Sequence, residues 1–415
     1  MGAPVVSATA ARHPRTTPRK RRAGRFASIL LVAPLVLFIL GVFVLPLLGV
    51  LAYAVRNPEV RTALPRVAVA MEEWKGNGPV PDTAFNALAA DLRASDGSPL
   101  VAEAARRLNY ENAGYRTLVL KTARALRVTK PEPERWRDAF EAIDPRWVDP
   151  ATWQAVRRVS AAVTPYYMLA ALDLRVSDAG AVTWAPEGER LFLNTLGRTM
   201  WIGAIVTLTC LLLGYPLAHA LVSLPRRFSA PLMLCVLLPF WTSLLVRTSA
   251  WIVVLQKQGL ANSVLLSLGL TKEPLQLVFN RFGLYMAMVH ILLPFMVLPI
   301  LSVMKGLPPS YMRASNSLGA HPARGFLEVY LPLTLPGVGA GCLLTFIIAV
   351  GYYITPTLVG GAGDQMVGYF IAFYTNTTIN WGMAAALGTV LLGCILILYA
   401  TLGRLIGVSR IAGIE

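Results

Sequence analysis

The chain has 415 residues, of which 55% are hydrophobic and only 14% charged. A soluble domain carries roughly 25% charged residues, so composition excludes a soluble, disordered or nucleic-acid-binding chain as the main reading and makes a bilayer the expected solvent. The net charge of +16 is unevenly placed: residues 56–190 hold 19 basic and 18 acidic side chains, whereas the remainder holds 19 basic residues against Glu273, Glu328, Asp364 and Glu415. A basic excess flanking apolar segments is the pattern of loops retained on the cytoplasmic side of a membrane.

Residues 1–25, rich in Pro, Thr and Arg, read as a disordered cytoplasmic tail carrying Arg12, Arg15, Arg19, Lys20, Arg21, Arg22 and Arg25. The uncharged run 26–55 follows. Arg21-Arg22 and Ala52-Tyr53-Ala54 have the look of a signal and its cleavage site. Yet the run is far longer than the roughly 7–15 apolar residues of a signal core, so it reads as an uncleaved first span.

Residues 56–190 read as a mostly helical outer domain with some irregular structure. Helix starts are expected at Asp82, Ser98-Pro99 and Asp149-Pro150. Trp136, Trp147, Trp153, Tyr166 and Tyr167 are candidates for its core, and no catalytic constellation occurs there. Contact with a partner protein is one role open to this domain, a solvated surface the other. Cys210, Cys235, Cys342 and Cys394 all lie outside it in apolar stretches, so it has no disulfide framework, and no cysteine pair has metal-site spacing.

Five further spans are expected at 196–223, 230–255, 282–304, 335–359 and 382–403, each long enough for a hydrocarbon core of about 30 Å. Residues 260–280, interrupted by Lys272, Glu273 and Pro274, read as an interfacial or re-entrant excursion. With six spans and the N-terminus inside, the inner segments carry 14 basic residues and the short outer ones 3. Both termini are therefore expected in the cytoplasm. The organisation is a tail (1–25), a first span (26–55), an outer insertion (56–190), a five-helix core (191–405) and a short cytoplasmic tail (406–415).

No phosphate-binding G-x-x-x-x-G-K-[ST] loop, H-E-x-x-H or G-x-S-x-G motif is present. The spans hold no Asp or Glu, which argues against a proton-coupled pump. His219 and His290 lie within spans and are expected to hydrogen-bond between helices. Arg247 is the clear intramembrane charge, inside the run from Leu238 to Trp251. It is expected to face a cavity, a partner helix or the outer interface.

The stretch 308–337 reads PPSYMRASNSLGAHPARGFLEVYLPLTLPG. Pro308-Pro309-Ser310 starts a short helix, Gly319 permits a tight reversal, and Pro322 begins a second short helix carrying Phe326 and Val329. Pro332 is expected to redirect the chain into the next span. Such a surface unit can lay apolar residues into a groove on a cytoplasmic partner.

This stretch resembles the coupling-helix signature of ABC importer permeases: E-A-A, two residues, L-G-A, then F, V, L-P and P-G. Ala314, Leu318, Gly319, Ala320, Phe326, Val329, Leu331, Pro332, Pro336 and Gly337 match it, while Arg313 occupies the Glu position and Ser315 replaces the second Ala. Leu213–Ala218, Leu238–Trp251 with Gly259–Asn262, Leu293–Pro299 and Gly351–Gly361 resemble the spermidine/putrescine permease branch. The likeness covers about 190–405 and leaves most of 56–190 as an insertion.

The resemblance implies an all-α membrane protein with the six transmembrane helices of the type I ABC importer permease fold, carrying a mostly helical periplasmic insertion between its first and second spans. It implies a multi-pass subunit of the bacterial inner membrane that is not an enzyme, forming half of a translocation pathway. The implied partners are a second, paralogous permease, a cytoplasmic ATPase dimer and a periplasmic substrate-binding protein. No cofactor is expected on this chain, since the ATPase would bind ATP and Mg. Coupling is assigned to Arg313, Ala314, Ser315, Leu318, Gly319, Ala320, Phe326, Val329 and Pro332, with the coupling helices at 308–330. The solute path is assigned to Trp241, Thr242, Arg247, Trp251, Tyr352, Tyr353 and Thr355. A polyamine is the expected solute, although some relatives carry an Asp near the Tyr352-Tyr353 position and this chain has none. Another small organic solute, such as an amino-acid derivative, and a stand-alone secondary transporter stay open as alternatives.

Overall fold

The computed structural model describes residues 30–406 except 75, 77, 96–97, 129–134 and 178–180, with side chains described to residue 401. The basic tail 1–25 and the tail beyond 406 lie outside the described residues. The chain divides into two units, residues 1–52 and 53–415.

In the first unit, helix α1 (Leu30–Tyr53) has 24 residues and no charged side chain. At 1.5 Å per residue it is about 36 Å long, enough to cross a hydrocarbon core. It contains one π-helical turn at Leu40–Val44, closed by the Leu45 amide on the Leu40 carbonyl just before Pro46. The extra residue in that turn relieves the clash a proline ring makes with the preceding turn.

The second unit opens with seven helices of the insertion: α2 (Pro58–Ala63), α3 (Pro65–Glu73), α4 (Asp82–Ala94), α5 (Pro99–Glu111), α6 (Tyr115–Val128), α7 (Trp136–Ile143) and α8 (Pro150–Ser160). Ser98 caps α5 and Asp149 caps α8, each accepting a backbone N–H. Asp82 is instead the first residue of α4, where its charge favours the helix N-terminus. Trp147 and Trp153 are fully buried in a core that runs from Val60 to Val159, with Phe85 and Phe140 edge-on between them. Trp136 packs at its margin.

Tyr166 and Tyr167 belong elsewhere. They sit on α9 (Tyr166–Ala170) and pack against the last span in a separate cluster with Met383, Ala386 and Leu387. The insertion is therefore closed within about 57–162. Its two ends are pinned together by Thr164 N–H to Val55 O at 2.9 Å and a bridge between Arg56 and Val163. Residues 164–190 are connecting structure that includes a hairpin, β1 (Leu174–Val176) with β2 (Val182–Trp184).

The core comprises α10 (Phe192–Ser223), α11 (Arg226–Trp241), α12 (Leu244–Leu255), α13 (Leu260–Ser267), α14 (Arg281–Gly306), α15 (Ser310–Ser317), α16 (Pro322–Gly351), α17 (Ile354–Val359), α18 (Val367–Asn376) and α19 (Trp381–Ile406). Helix α14 is central, packed against both α10 and α16. Gly341 lets α16 approach α14 so closely that an added β-carbon would lie 2.9 Å from the Met296 carbonyl. Small residues at such crossings replace the hydrophobic drive that lipid does not supply.

Among the described residues five helices are long and apolar enough to span a bilayer, and one bent pair makes a sixth. Three expectations are corrected. The span expected at 230–255 is broken at Thr242-Ser243, with a 107° bend between α11 and the segment Leu244–Ser267. The span expected at 335–359 ends at Gly351 and restarts at Ile354. Pro332 does not redirect the chain: α16 runs unbroken through it, because a π-helical turn at Phe326–Tyr330 precedes the proline just as in α1.

Candidate coupling segment and solute path

Helix α15 ends in a left-handed glycine. Gly319 has φ +84°, the Ala320 amide donates to the Ser315 carbonyl at 3.2 Å, and the Gly319 amide donates to that of Asn316 at 3.0 Å. This paired closure is the Schellman arrangement, which places glycine after the last helical residue. No atom lies within 4 Å of a β-carbon built on Gly319, so backbone conformation selects the glycine there. His321 then caps α16, its Nδ1 accepting the Ala323 amide, with Pro322 in the first helical position.

Helices α15 and α16 meet through Ser315 and Gly325. Both are buried, and a β-carbon on Gly325 would lie 2.9 Å from Ser315 Oγ. Arg313, Ala314 and Leu318 face outward, Leu318 at 89% exposure. Arg313 has no carboxylate within ion-pair distance among the described residues. Ala320 and Val329 are half-buried, and Pro332 is exposed.

Phe326 connects this segment to the membrane core. Its ring stacks on Tyr330 at 5.6 Å and meets His219 and Tyr215 of α10 edge-on at 5.7 and 6.2 Å. The Tyr215 hydroxyl hydrogen-bonds Thr334 Oγ1 at 3.0 Å. Sequence reasoning missed Tyr215, Tyr330 and Gly325 as parts of this joint and left His219 without its aromatic partners. A signal was present: Tyr215 and His219, like Phe326 and Tyr330, are four residues apart, so each pair shares one helix face.

The helices that follow the two breaks meet. Thr248 of α12 and Thr355 of α17 are both fully buried, with hydroxyls 3.3 Å apart. Trp251 Nε1 donates to His290 Nδ1 at 3.2 Å, the hydrogen bond between helices expected of His290. Arg247, one residue before Thr248 on the same helix, has its Nε buried with no hydrogen-bond partner. Arg247 and Trp251 thus lie on α12, Thr355 is held against it through Thr248, and Tyr352 stands at the break just before α17. Thr242 lies at the other break, its hydroxyl on the Pro239 carbonyl. Trp241 is 76% exposed and Tyr353 41% exposed, and neither joins that group. No cluster of three or more His, Cys, Asp or Glu suited to a metal ion occurs among the described residues.

Residues 210–406 match the family model of the binding-protein-dependent transport system inner membrane component. Over 221 residues the chain is 34% identical to the spermidine/putrescine transport system permease protein PotB of Escherichia coli K12, covering 52% of this chain and 80% of that protein. The chain belongs to this family. It is also 34% identical over 203 residues to the inner membrane ABC transporter permease protein YdcU of the same organism, covering 46% of this chain and 64% of that one. The solved structure of a bacterial ABC transporter that imports the acidic polysaccharide alginate aligns with a TM-score of 0.43 at 15% identity, covering 51% of this chain and 79% of that one. The chain is thus an inner-membrane ABC importer permease, a transport subunit rather than an enzyme. The family model's match, 210–406, lies in the core and leaves the insertion unmatched.

Proposed function

We propose that this permease carries a polyamine of the spermidine/putrescine class. The observation that carries the reading is the 34% identity to PotB across 80% of that protein's length, joined to aromatic faces at Trp251 and Tyr352 that suit an alkylammonium. A second permease completes the pathway, two cytoplasmic ATPase subunits bind ATP and Mg, and a periplasmic binding protein delivers the solute. Both termini lie in the cytoplasm. ATP-driven closure of the ATPase pair moves the coupling segment at Ser310–Tyr330, and the contacts of Phe326 with α10 carry that motion into the spans.

A second reading rests on Arg247. A buried guanidinium nitrogen without a partner, in described spans whose membrane-crossing parts hold no carboxylate, suits a solute with an anionic group, such as an amino-acid derivative.

The test is ATPase stimulation by the complete transporter in nanodiscs with its binding protein. Stimulation by spermidine or putrescine supports the first reading. A bound ATPase that ignores both polyamines and responds to an amino-acid derivative replaces it with the second.

A further inference from the structure

The hairpin β1–β2 pairs Leu174 with Trp184, Arg175 with Thr183 and Val176 with Val182. Side chains alternate across a strand, so Leu174, Val176, Val182 and Trp184 share one face while Arg175 and Thr183 occupy the other. The β2 half of the apolar face is open, with Val182 58% and Trp184 57% exposed, while Leu174 and Val176 are half-buried. A lone two-stranded hairpin is marginal in water, and here it presents its larger apolar residues outward.

Its height relative to the spans is fixed. The Asp173 carboxylate accepts the amides of Leu191, Phe192 and Leu193 at 3.1, 3.0 and 2.8 Å, capping α10. The Asp173 carbonyl accepts the Ala185 amide, so both ends of the hairpin are tied to the start of α10. Arg190 donates to the Ala185 carbonyl, with its guanidinium 5.7 Å from the Trp184 ring.

Helix α10 has 32 residues, about 48 Å, against the roughly 40–45 Å of a bilayer with its headgroups. A helix of this length extends past the hydrocarbon core into the headgroup region. Arg198, two turns in, satisfies its guanidinium on the Gln365 carbonyl. Exposed Leu191, Leu193 and Trp201 continue the apolar surface from the hairpin along the helix.

We propose that the β1–β2 hairpin is a membrane-interface anchor, laying Val182 and Trp184 into the lipid at the N-terminal end of α10. Tryptophan favours this depth because its ring is apolar and its N–H is polar. Arg175 and Arg190 reach lipid phosphates, and the exposed Glu187 and Glu189 on the following turn face water and headgroup amines. Continuity with the exposed surface of the span identifies the occupant as lipid.

The test uses the complete transporter in nanodiscs of phosphatidylethanolamine and phosphatidylglycerol, with native cysteines replaced. Nitroxides are attached at Val182→Cys, Thr183→Cys, Trp184→Cys and, as a water-facing control, Arg116→Cys. Collisions with oxygen should exceed those with a water-soluble nickel chelate at 182 and 184, and the order should reverse at 183 and 116. An excess of chelate collisions at 182 and 184 overturns the proposal. So do low collisions with both reagents there, which would mean a protein cover. Independently, Trp184→Phe should lower the fraction of tryptophan fluorescence quenched by brominated lipid, and an unchanged fraction counts equally against the anchor.

Discussion

The Phe326 ring meets His219 edge-on at 5.7 Å, joining the segment Ser310–Tyr330 to the C-terminal end of α10. Together with the stacked Tyr330 ring and Tyr215, this makes one aromatic joint between α10 and the start of α16. Aromatic pairs are each worth about 0.5–1.5 kcal/mol beyond their buried area, so these contacts hold the two helices together at this point.

Phe326→Ala removes three ring contacts at once. We expect solute-stimulated ATPase activity and uptake to fall about tenfold, the equivalent of about 1.4 kcal/mol. Phe326→Tyr keeps the ring and should stay near wild type. Normal stimulation with Phe326→Ala, measured in nanodiscs, would remove the joint from the coupling route.

Ser315 and Gly325 should behave as a coupled pair. Gly325→Ala places a methyl 2.9 Å from Ser315 Oγ and should lower the melting temperature. Ser315→Ala alone should be mild, and in combination it should recover part of the loss, with a coupling energy of about 0.5–1 kcal/mol. A thermal double-mutant cycle reads this directly, and simple additivity would contradict the packing described.

At Gly319 the left-handed backbone costs a residue with a β-carbon about 1–2 kcal/mol. Gly319→Val should therefore impair uptake more than Gly319→Asn, since asparagine tolerates this conformation best among the others. Equal uptake by the two variants would assign the sensitivity to the partner surface instead of the turn.

In the insertion, burial pushes the Glu59 carboxyl above its ordinary range; its own backbone hydrogen bond and the Arg107 and Arg106 charges oppose the rise, whereas Glu103 adds to it. Its Oε2 has no hydrogen-bond partner. A carboxyl whose pKa is raised on folding favours the folded state when protonated, and that contribution is lost as pH climbs from the ordinary value of 4.5 through the raised one. Glu59→Gln should therefore raise the melting temperature at pH 7, with the gain shrinking toward pH 4. A gain that is constant across that range would refute the assignment.

Much of this architecture was legible in the residues. Runs of apolar sequence gave the spans, because a bilayer demands about 20 residues of low polarity for each crossing. The breaks at Thr242-Ser243 and Tyr352-Tyr353 were not: Pro239, Gly351 and Pro356 stand near them, but the other prolines within the spans leave their helices unbroken, so these residues alone do not mark a break. Pro332 misled in the opposite sense, because a one-residue expansion of the preceding turn absorbs its ring. In the coupling segment, Gly319 was readable from backbone chemistry. Gly325 was not, since its constraint is a side chain ten residues upstream. The tyrosines 166 and 167 were assigned to the wrong core for a similar reason: nothing local distinguishes a ring packed inside the insertion from one packed on the last span.

The closed neck at Val55–Asn57 and Ala162–Thr164 has an architectural consequence. Paired strands hold facing α-carbons only about 4.5–5.5 Å apart, a gap that a tight turn of a few residues can bridge. The domain beyond the neck is thus a cassette: genetic gain or loss of about a hundred residues at this point would leave the downstream helices in their original register.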